Sequence, residues 1–199
     1  MNREYLVAAI ASLGLSFAQP AAAQVPDTSG AQAGVKVGWL WPHSDLKESF
    51  GSTYVLGADL SYRGKVIGAG VDARFSRKKT DIQIVEDILA EVTWTSIPLS
   101  GNIYLNLFLD QGNTLYVGGG PTYMYTRIEA SVLADMFPTF SEEREGRWDW
   151  GWNAVVGADS GRAFIEGQYL WVKGSLEPEE TSGTEPNLGG FSLSLGIRF

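Results

Sequence analysis

The last ten residues of the chain alternate between apolar and small or charged side chains without interruption, in the order GFSLSLGIRF. Apolar side chains recur at every second position from Phe191 to Phe199, and serine, glycine and Arg198 fill the positions between them. A repeat of two residues places the two sets on opposite faces of a β-strand. The segment therefore predicts a strand with one apolar and one polar side.

The same two-residue period predicts eight strands, most of them close to the roughly nine to eleven residues with which a tilted strand crosses a bilayer. They cover residues 34–41, 53–62, 66–76, 88–108, 114–128, 147–158, 163–173 and 188–199. The fourth is longer and its phase changes near residues 96–102, where Pro98 lacks a backbone donor and Gly101 permits a kink. We expect a β-bulge or an interruption there. Pro121 is a second irregularity, in the fifth strand.

The first 23 residues have the pattern of a secretory signal peptide, with Arg3, an apolar run over residues 6–17 and the small residues Ala21 to Ala23. This pattern is favoured over an N-terminal cytoplasmic helix. It divides the chain into a signal peptide (1–23), an N-terminal periplasmic segment (24–33) and a β-domain (34–199).

Composition narrows the class of protein. The chain has 15 Lys and Arg against 23 Asp and Glu, a net charge of -8, whereas a nucleic-acid-binding surface is basic. It has no cysteine, which excludes disulfides, thiolate metal sites and cysteine nucleophiles. After residue 23 no apolar run reaches the roughly 18 residues of a spanning helix, so a membrane protein of this sequence must span as a closed barrel.

Short and long connections alternate along the chain. The short ones are 63–65, 109–113 and 159–162, and the long ones are 43–52, 77–87, 129–146 and 174–187. In a bacterial membrane barrel, short turns face the periplasm and long loops face outward. An even number of strands places both ends of the chain on the periplasmic side.

The alternation also assigns the two faces of the wall. All seven tryptophans, Trp94 included, fall on the outward face, and an aromatic belt is predicted near the long loops, formed by Trp39, Trp41, Tyr54, Tyr123, Tyr125, Trp148, Trp150, Trp152 and Trp171. The inward face carries a polar network of both charge signs: Lys36, Asp59, Asp72, Arg74, Glu91, Asp149, Glu166 and Arg198, with Asn153 and Gln168. A narrow barrel fills such a lumen with side chains. The alternative is a soluble sandwich or lipocalin with the aromatic residues in its core.

From Gly34 to Phe199 the chain resembles the small outer-membrane β-barrel proteins of the OmpA/OmpX type, which are porin-like barrel domains. The resemblance implies an all-β fold, an eight-stranded antiparallel up-and-down transmembrane barrel in the outer membrane of a Gram-negative bacterium. It also implies a monomer, contact with outer-membrane lipid and lipopolysaccharide, and recognition of Phe199 by the barrel assembly machinery as an assembly signal. An extracellular ligand would be bound through loops 43–52, 77–87, 129–146 and 174–187.

These features favour a structural or surface-interaction role with the lumen plugged by polar side chains. A small gated pore for ions or solutes is the alternative, and a lipid-modifying enzyme is the third possibility. No catalytic, cofactor-binding or metal-binding residue is assigned, because His43 is the sole histidine and lies in a loop. The acidic loops could bind Ca²⁺ or Mg²⁺, but a solvated surface is favoured. The basic run of Arg77, Lys78 and Lys79 is predicted to lie near anionic lipid headgroups.

Overall fold

The computed structural model describes residues 30–43, 47, 50–85, 88–109, 113–133, 141–143, 146–174 and 187–199. Strands dominate these residues: β1 (Gly30–Pro42), β2 (Thr53–Arg63), β3 (Ile67–Val85), β4 (Ile88–Leu109), β5 (Asn113–Leu133), β6 (Ser141–Glu143), β7 (Arg147–Ser160), β8 (Ala163–Val172) and β9 (Gly190–Arg198). The predicted signal peptide lies outside the described residues. No helix within the described part of the chain is long and apolar enough to cross a membrane.

Antiparallel pairing closes the sheet into a barrel. Each strand pairs with its neighbour around the ring, β1 pairs with β9, and β4 pairs with β5. The backbone N–H of Phe199 donates to the Ala33 carbonyl at 2.8 Å, which continues the closing seam beyond the last paired strand residue. Strand β6 pairs only with Glu129 to Ser131 of β5, so eight strands form the wall. The predicted eight-stranded antiparallel barrel is confirmed.

The first strand begins earlier than predicted. Residues 30–33, expected in the periplasmic segment, belong to β1 and pair with Leu60 to Arg63 of β2. We call the end of the barrel with the connections after β2, β4 and β7 the turn end, and the opposite end the loop end. The turn after β7 consists of Gly161 and Arg162, and Gly161 has a φ of 61°, a conformation that glycine adopts at no steric cost.

Three neighbouring strands are much longer than the others. β3, β4 and β5 have 19, 22 and 21 residues, compared with 11 in β2 and 9 in β9. The predicted loop 77–87 is therefore wrong, because β3 continues to Val85 and β4 starts at Ile88. Much of the predicted loop 129–146 is also strand. Alternation of apolar and polar residues fades in this part of β3 because the charged side chains of Arg77, Lys79 and Asp81 replace apolar ones on its outward face.

The fourth strand runs without the predicted irregularity at residues 96–102. Its register against β5 is the same from Leu89, opposite Leu133, to Leu109, opposite Asn113. Pro98 interrupts the β3–β4 ladder locally, as expected for a residue without an N–H, but causes no shift. The register shift in the described residues lies between Gln83 and Val85, near the tip of the hairpin.

The outside of the wall is apolar and the inside is polar. Large exposed hydrophobic side chains occur on all eight wall strands, for example Leu60 at 62% and Ile103 at 68% exposure. Trp94 is the exception to the predicted outward set, since it is 1% exposed and faces the interior. The assignment was wrong because an uninterrupted β4 gives Trp94 the same inward parity as Ser96 and Ser100.

The apolar band gives a test of the register. Val71 lies midway between Ile67 and Phe75 on the outward face of β3, and Val71→Arg is expected to lower the free energy of unfolding from lipid vesicles by about 2–4 kcal/mol. Val66→Arg, the same substitution in the turn, should cost about 0–1 kcal/mol because it lies near the interface. Urea titrations measure both values, and equal losses at the two positions would contradict the assigned band.

Candidate functional site in the barrel lumen

An ion-pair cluster crosses the middle of the lumen. Lys36 of β1 contacts the Glu166 carboxylate of β8 at 2.6 Å, from Nζ to Oε1, and also contacts Asp72 of β3. Asp59 of β2 lies 4.0 Å from the same ammonium group. All four side chains are nearly inaccessible to solvent, so each buried charge is met by an opposite charge rather than by water.

Arg74 links the same carboxylates from another direction. Its Nε donates to Asp72 Oδ1 at 2.7 Å, its Nη2 donates to Glu166 Oε1 at 2.6 Å, and its Nη1 donates to Ser192 Oγ at 2.6 Å. Gly57 lies between Lys36 and Arg74 in the same cross-strand row. A Cβ atom at Gly57 would lie 3.1 Å from Lys36 Cγ and 3.2 Å from Arg74 Cγ, so the glycine provides room for both side chains.

Tyr116 is a third hydrogen-bond donor to the Glu166 carboxylate. Its hydroxyl donates to Glu166 Oε2 at 2.9 Å and accepts from Arg198 Nη2 at 3.2 Å. Gly157 stands between Tyr116 and Glu166 in the cross-strand row, and a Cβ atom there would collide with the tyrosine ring. The absence of a side chain at Gly157 therefore allows the hydrogen bond between Tyr116 and Glu166.

A second cluster fills the turn end. Arg63 lies over the rings of Tyr116 and Tyr104, with its guanidinium carbon 4.0 and 4.8 Å from the two centroids. Its Nη1 donates to Asn106 Oδ1 at 3.2 Å and lies 3.5 Å from Asp159. Arg198 pairs with Asp159 as well.

The two clusters together are electrically balanced. Arg198 Nε lies 3.8 Å from Asp59, which joins the turn-end cluster to the central one. Four cationic side chains, Lys36, Arg63, Arg74 and Arg198, face four carboxylates, Asp59, Asp72, Asp159 and Glu166. The positive and negative charges of this network therefore cancel inside the lumen.

Neutral polar groups occupy another part of the interior. Asn153 Nδ2 donates to Thr122 Oγ1 at 3.1 Å and to the Gly120 carbonyl at 3.0 Å. Gln168 Nε2 donates to Asn153 Oδ1 at 3.3 Å. Ser100 and Thr122 share a hydrogen bond of 2.8 Å between their hydroxyl groups. These contacts link β4, β5, β7 and β8 around one side of the lumen.

An apolar layer covers the loop end of the lumen. Its buried members are Leu40, Phe50, Val55, Trp94, Met124, Val172 and Leu188. Phe50 enters from the first long loop, and its ring centroid lies 5.8 Å from that of Trp94. Between this layer and Arg74 lies a cavity of about 10 Å³, room for about one water molecule.

Six of the eight predicted network residues lie in the connected ion-pair clusters: Lys36, Asp59, Asp72, Arg74, Glu166 and Arg198. Asp149 is also buried, but it pairs with Arg147 near the loop end, at 2.9 Å from Arg147 Nε. Glu91 was wrongly placed in the lumen. It has the outward parity of Leu99 and Ile103 and pairs with exposed Lys79 beyond the apolar band.

Sequence reasoning predicted Arg198 but missed the other members of the turn-end cluster. Arg63 was assigned to a turn, but β2 includes it and its side chain points inward. Tyr104 and Asn106 have the same inward parity as Ser96 and Ser100, a signal that the assumed break in β4 concealed. Tyr116 could have been found from its alternation with Thr114 and Thr122 on β5.

The predicted aromatic belt lies on the outside of the wall. Trp39 and Tyr54 are in edge-to-face contact at 4.1 Å between centroids, and Trp41 stacks on Phe191 at 5.8 Å. Tyr123 contacts both Trp148 and Trp150 at 4.6 Å, and Tyr125 lies 5.2 Å from Trp148. Trp152 and Trp171, on neighbouring strands, are 64% and 51% exposed. A surface so rich in exposed apolar rings requires an apolar or interfacial solvent.

His43 lies at the start of the first long loop, where its backbone N–H donates to the Gly189 carbonyl at 2.9 Å. Among the described residues, no group of three or more His, Asp or Glu side chains is arranged to hold a metal ion.

A closed sheet with an apolar outer face and a charged inner face defines the protein as a transmembrane β-barrel. The chain belongs to the outer membrane protein beta-barrel domain family, whose family model matches residues 8–199. This places it among the barrel proteins of the outer membrane.

Three solved outer-membrane proteins are similar to this chain, and the first of them has the same fold. OprG from Pseudomonas aeruginosa is 14% identical and has a TM-score of 0.54, with 86% of this chain and 96% of OprG covered. Ail of Yersinia pestis, crystallised with the heparin analogue sucrose octasulfate, is 13% identical with a TM-score of 0.47, covering 85% and 99%. Neisserial surface protein A is 15% identical with a TM-score of 0.46, covering 85% and 96%. A comparison with curated protein sequences gives no significant match.

The ion-pair network predicts a difference between two glutamates. Glu166→Gln leaves Lys36 and Arg74 short of one buried carboxylate and is expected to cost about 3–5 kcal/mol of unfolding free energy. Glu91→Gln removes the same charge from a pair whose carboxylate is partly exposed and whose Lys79 is exposed, and it should cost less than about 1 kcal/mol. Denaturant titration in lipid vesicles measures both, and a larger loss at Glu91 would contradict the assigned positions.

Proposed function

We propose that the protein is a non-conducting outer-membrane barrel that presents a structured surface outside the cell. Its long-loop end faces outward and its turn end faces the periplasm, as is usual for bacterial barrels. In this proposal it acts as a monomer in a structural or surface-interaction role, and its lumen is plugged by its own side chains.

The balanced ion-pair network is the observation that carries the proposal. Four buried cations face three buried carboxylates and the partly buried Asp159 in the interior, and the single carboxylate of Glu166 accepts hydrogen bonds from Lys36, Arg74 and Tyr116. An ion entering this space would have to displace pairs that already satisfy one another. Eight strands enclose an interior just wide enough for side chains to fill.

The apolar layer adds a second barrier in series. Phe50, Trp94 and Met124 are each at most 6% exposed at the loop end of the lumen. Hydrophobic constrictions exclude ions because they do not replace the hydration shell. An ion would therefore meet a dry layer on one side of the charged network.

The long strands support the surface role. β3 and β4 continue past the apolar band as a paired hairpin, and β5 continues with them and pairs with β6. We call residues 77–85, 88–95, 127–133 and 141–143 the loop-end extension. Ladder hydrogen bonds fix the backbone of this extension, which favours recognition because little ordering is needed on binding.

Single-channel recording in planar bilayers tests the plug. The wild-type barrel is expected to give no discrete conductance steps. Phe50→Ala and Arg74→Ala each open one barrier and should also be silent, whereas the double variant should conduct because both barriers are weakened. Discrete steps from the wild type would contradict the proposal and favour a gated pore. A silent double variant that is folded on cold gels would contradict the two-barrier account.

A shortened hairpin tests the surface role. Asp81 and Glu91 are directly paired, so residues 82–90 can be replaced by Asn-Gly without changing the wall. Cells carrying this variant should adhere less to an epithelial monolayer while the heat-modifiable barrel remains at wild-type amounts. The double substitution Lys65→Asn and Val66→Gly at the turn end is the matched control. Unchanged adhesion by the shortened variant would contradict a role for the hairpin tip.

A further inference from the structure

One edge of the loop-end extension has no strand beside it. The β2–β3 ladder ends at Leu56 and Phe75, whereas β3 continues beyond this pair with β4 on its other side. Past the ladder, Thr53 Oγ1 of β2 donates to the Arg77 carbonyl at 3.0 Å. Within the residues that the structure describes, no strand or hydrogen bond covers this side of β3 further along. We call residues 78–83 the open edge, which is about 20 Å long.

The contact with Thr53 shows which backbone groups point toward the open edge. In an antiparallel strand the N–H and C=O of one residue lie on the same side, and successive residues alternate between the two sides. Arg77 directs its carbonyl to β2, so Lys79 and Asp81 present their N–H and C=O groups on the open edge. An edge with this alternation is matched by the backbone of another extended polypeptide.

The open edge lies beyond the apolar band. Phe75 is the last large apolar side chain on the outward face of β3 before Arg77, and the Lys79 side chain is 60% exposed. The described part of the first long loop turns away from this edge, since Phe50 is buried in the lumen against Trp94. The backbone groups of the edge are therefore accessible to a molecule that approaches from the side of β2.

Charged side chains determine which polypeptide can pair with this edge. The basic run Arg77, Lys78 and Lys79 leads into it, and Asp81 follows. Arg77 and Lys79 contact carboxylates of β5 and β4, whereas Lys78 and Asp81 form no ion pair with any described residue. Opposite charges across a ladder are favourable and like charges are unfavourable. A neighbouring strand is therefore favoured if it has an acidic residue opposite Lys78 and a basic residue opposite Asp81.

A second copy in the same membrane does not fit this edge. Strands of a membrane barrel tilt by about 35–45° from the barrel axis. The facing strands of two copies related by a two-fold axis lean in opposite directions, so their edges would cross at about 80°. Paired strands differ by only about 20–25°. The edge is therefore suited to a separate extended chain rather than to another barrel.

We infer that the open edge of β3 is a β-augmentation site for an extended, acidic polypeptide segment of a protein outside the cell. The segment adds an antiparallel strand beside β3, with its backbone paired to Lys79 and Asp81 and a carboxylate opposite Lys78. Lysines on an edge oppose pairing with strands that do not compensate their charge. The inference deepens the proposed surface role and rests on it for the location outside the cell.

A synthetic peptide tests the site on the full barrel in zwitterionic detergent micelles, where both ends of the barrel are accessible. The fluorescein-labelled probe is Thr-Lys-Val-Glu-Glu-Val-Thr, which in the antiparallel register places its lysine opposite Asp81 and its second glutamate opposite Lys78. Fluorescence anisotropy is expected to show binding to the wild type. N-methylation of the first glutamate, whose N–H faces Lys79, should abolish binding. N-methylation of the preceding valine, whose N–H faces away from β3, should leave binding unchanged.

A charge exchange tests the acidic character of the partner. Lys78→Glu should weaken binding of the probe about tenfold, because a favourable cross-strand pair becomes a like-charge pair. A probe with lysine in place of its second glutamate should restore binding to this variant. Lys173→Glu, the same change at the loop end directly after β8, is the matched control and should have no effect.

Absence of binding to the wild type, or equal effects of the two N-methyl groups, would overturn the site, and both measurements use the unaltered barrel. Equal losses from Lys78→Glu and Lys173→Glu would overturn the acidic class of the partner. Energy transfer between two labelled barrels that the probe abolishes would assign the edge to a second copy instead. The peptide assay requires neither cells nor a membrane orientation, so its failure contradicts the edge site alone, whereas failure of the adhesion test contradicts the proposed function.

Discussion

The interior depends on the burial of Glu166 against Lys36, Arg74 and Tyr116. These partners come from β1, β3 and β5, so one carboxylate on β8 is connected to strands on several sides of the ring. A wall that faces lipid cannot turn its charged side chains outward, and every inward charge must then be matched inside. The ion pairs and the apolar outer face are therefore two consequences of the same membrane constraint.

Small residues make this network possible. The side chains of Lys36 and Arg74 pass over Gly57, and Tyr116 passes over Gly157. A narrow barrel has little interior space, so long side chains on one strand require short ones on the neighbouring strand. The pairing of a large and a small residue in one row is determined by register, which a sequence alone does not specify.

Strand alternation was enough to predict the barrel, its eight strands and the inward position of most of the charged residues. It failed for Trp94 and Glu91 because Pro98 was interpreted as a change of phase, whereas the ladder tolerates one missing donor without a shift. It also failed for residues 77–85. That part of β3 extends beyond the apolar band, where the chemical contrast between the two faces disappears and the period of two can no longer be recognised.

Because the strand lengths are unequal, the barrel differs in height between two sides of the ring. The loop-end extension rises from β3, β4 and β5, whereas β8 ends at Val172 and β9 starts at Gly190 on the opposite part of the ring. Among the described residues, ordered sheet therefore stands above the apolar band on one sector of the circumference. A molecule that approaches along the membrane plane would meet the tall sheet of β3, β4 and β5 from one direction and the ends of the shorter strands β8 and β9 from the other. Rotation of the barrel about its own axis, which leaves the lipid-facing band nearly unchanged, would thus change which partner in the crowded membrane could engage it.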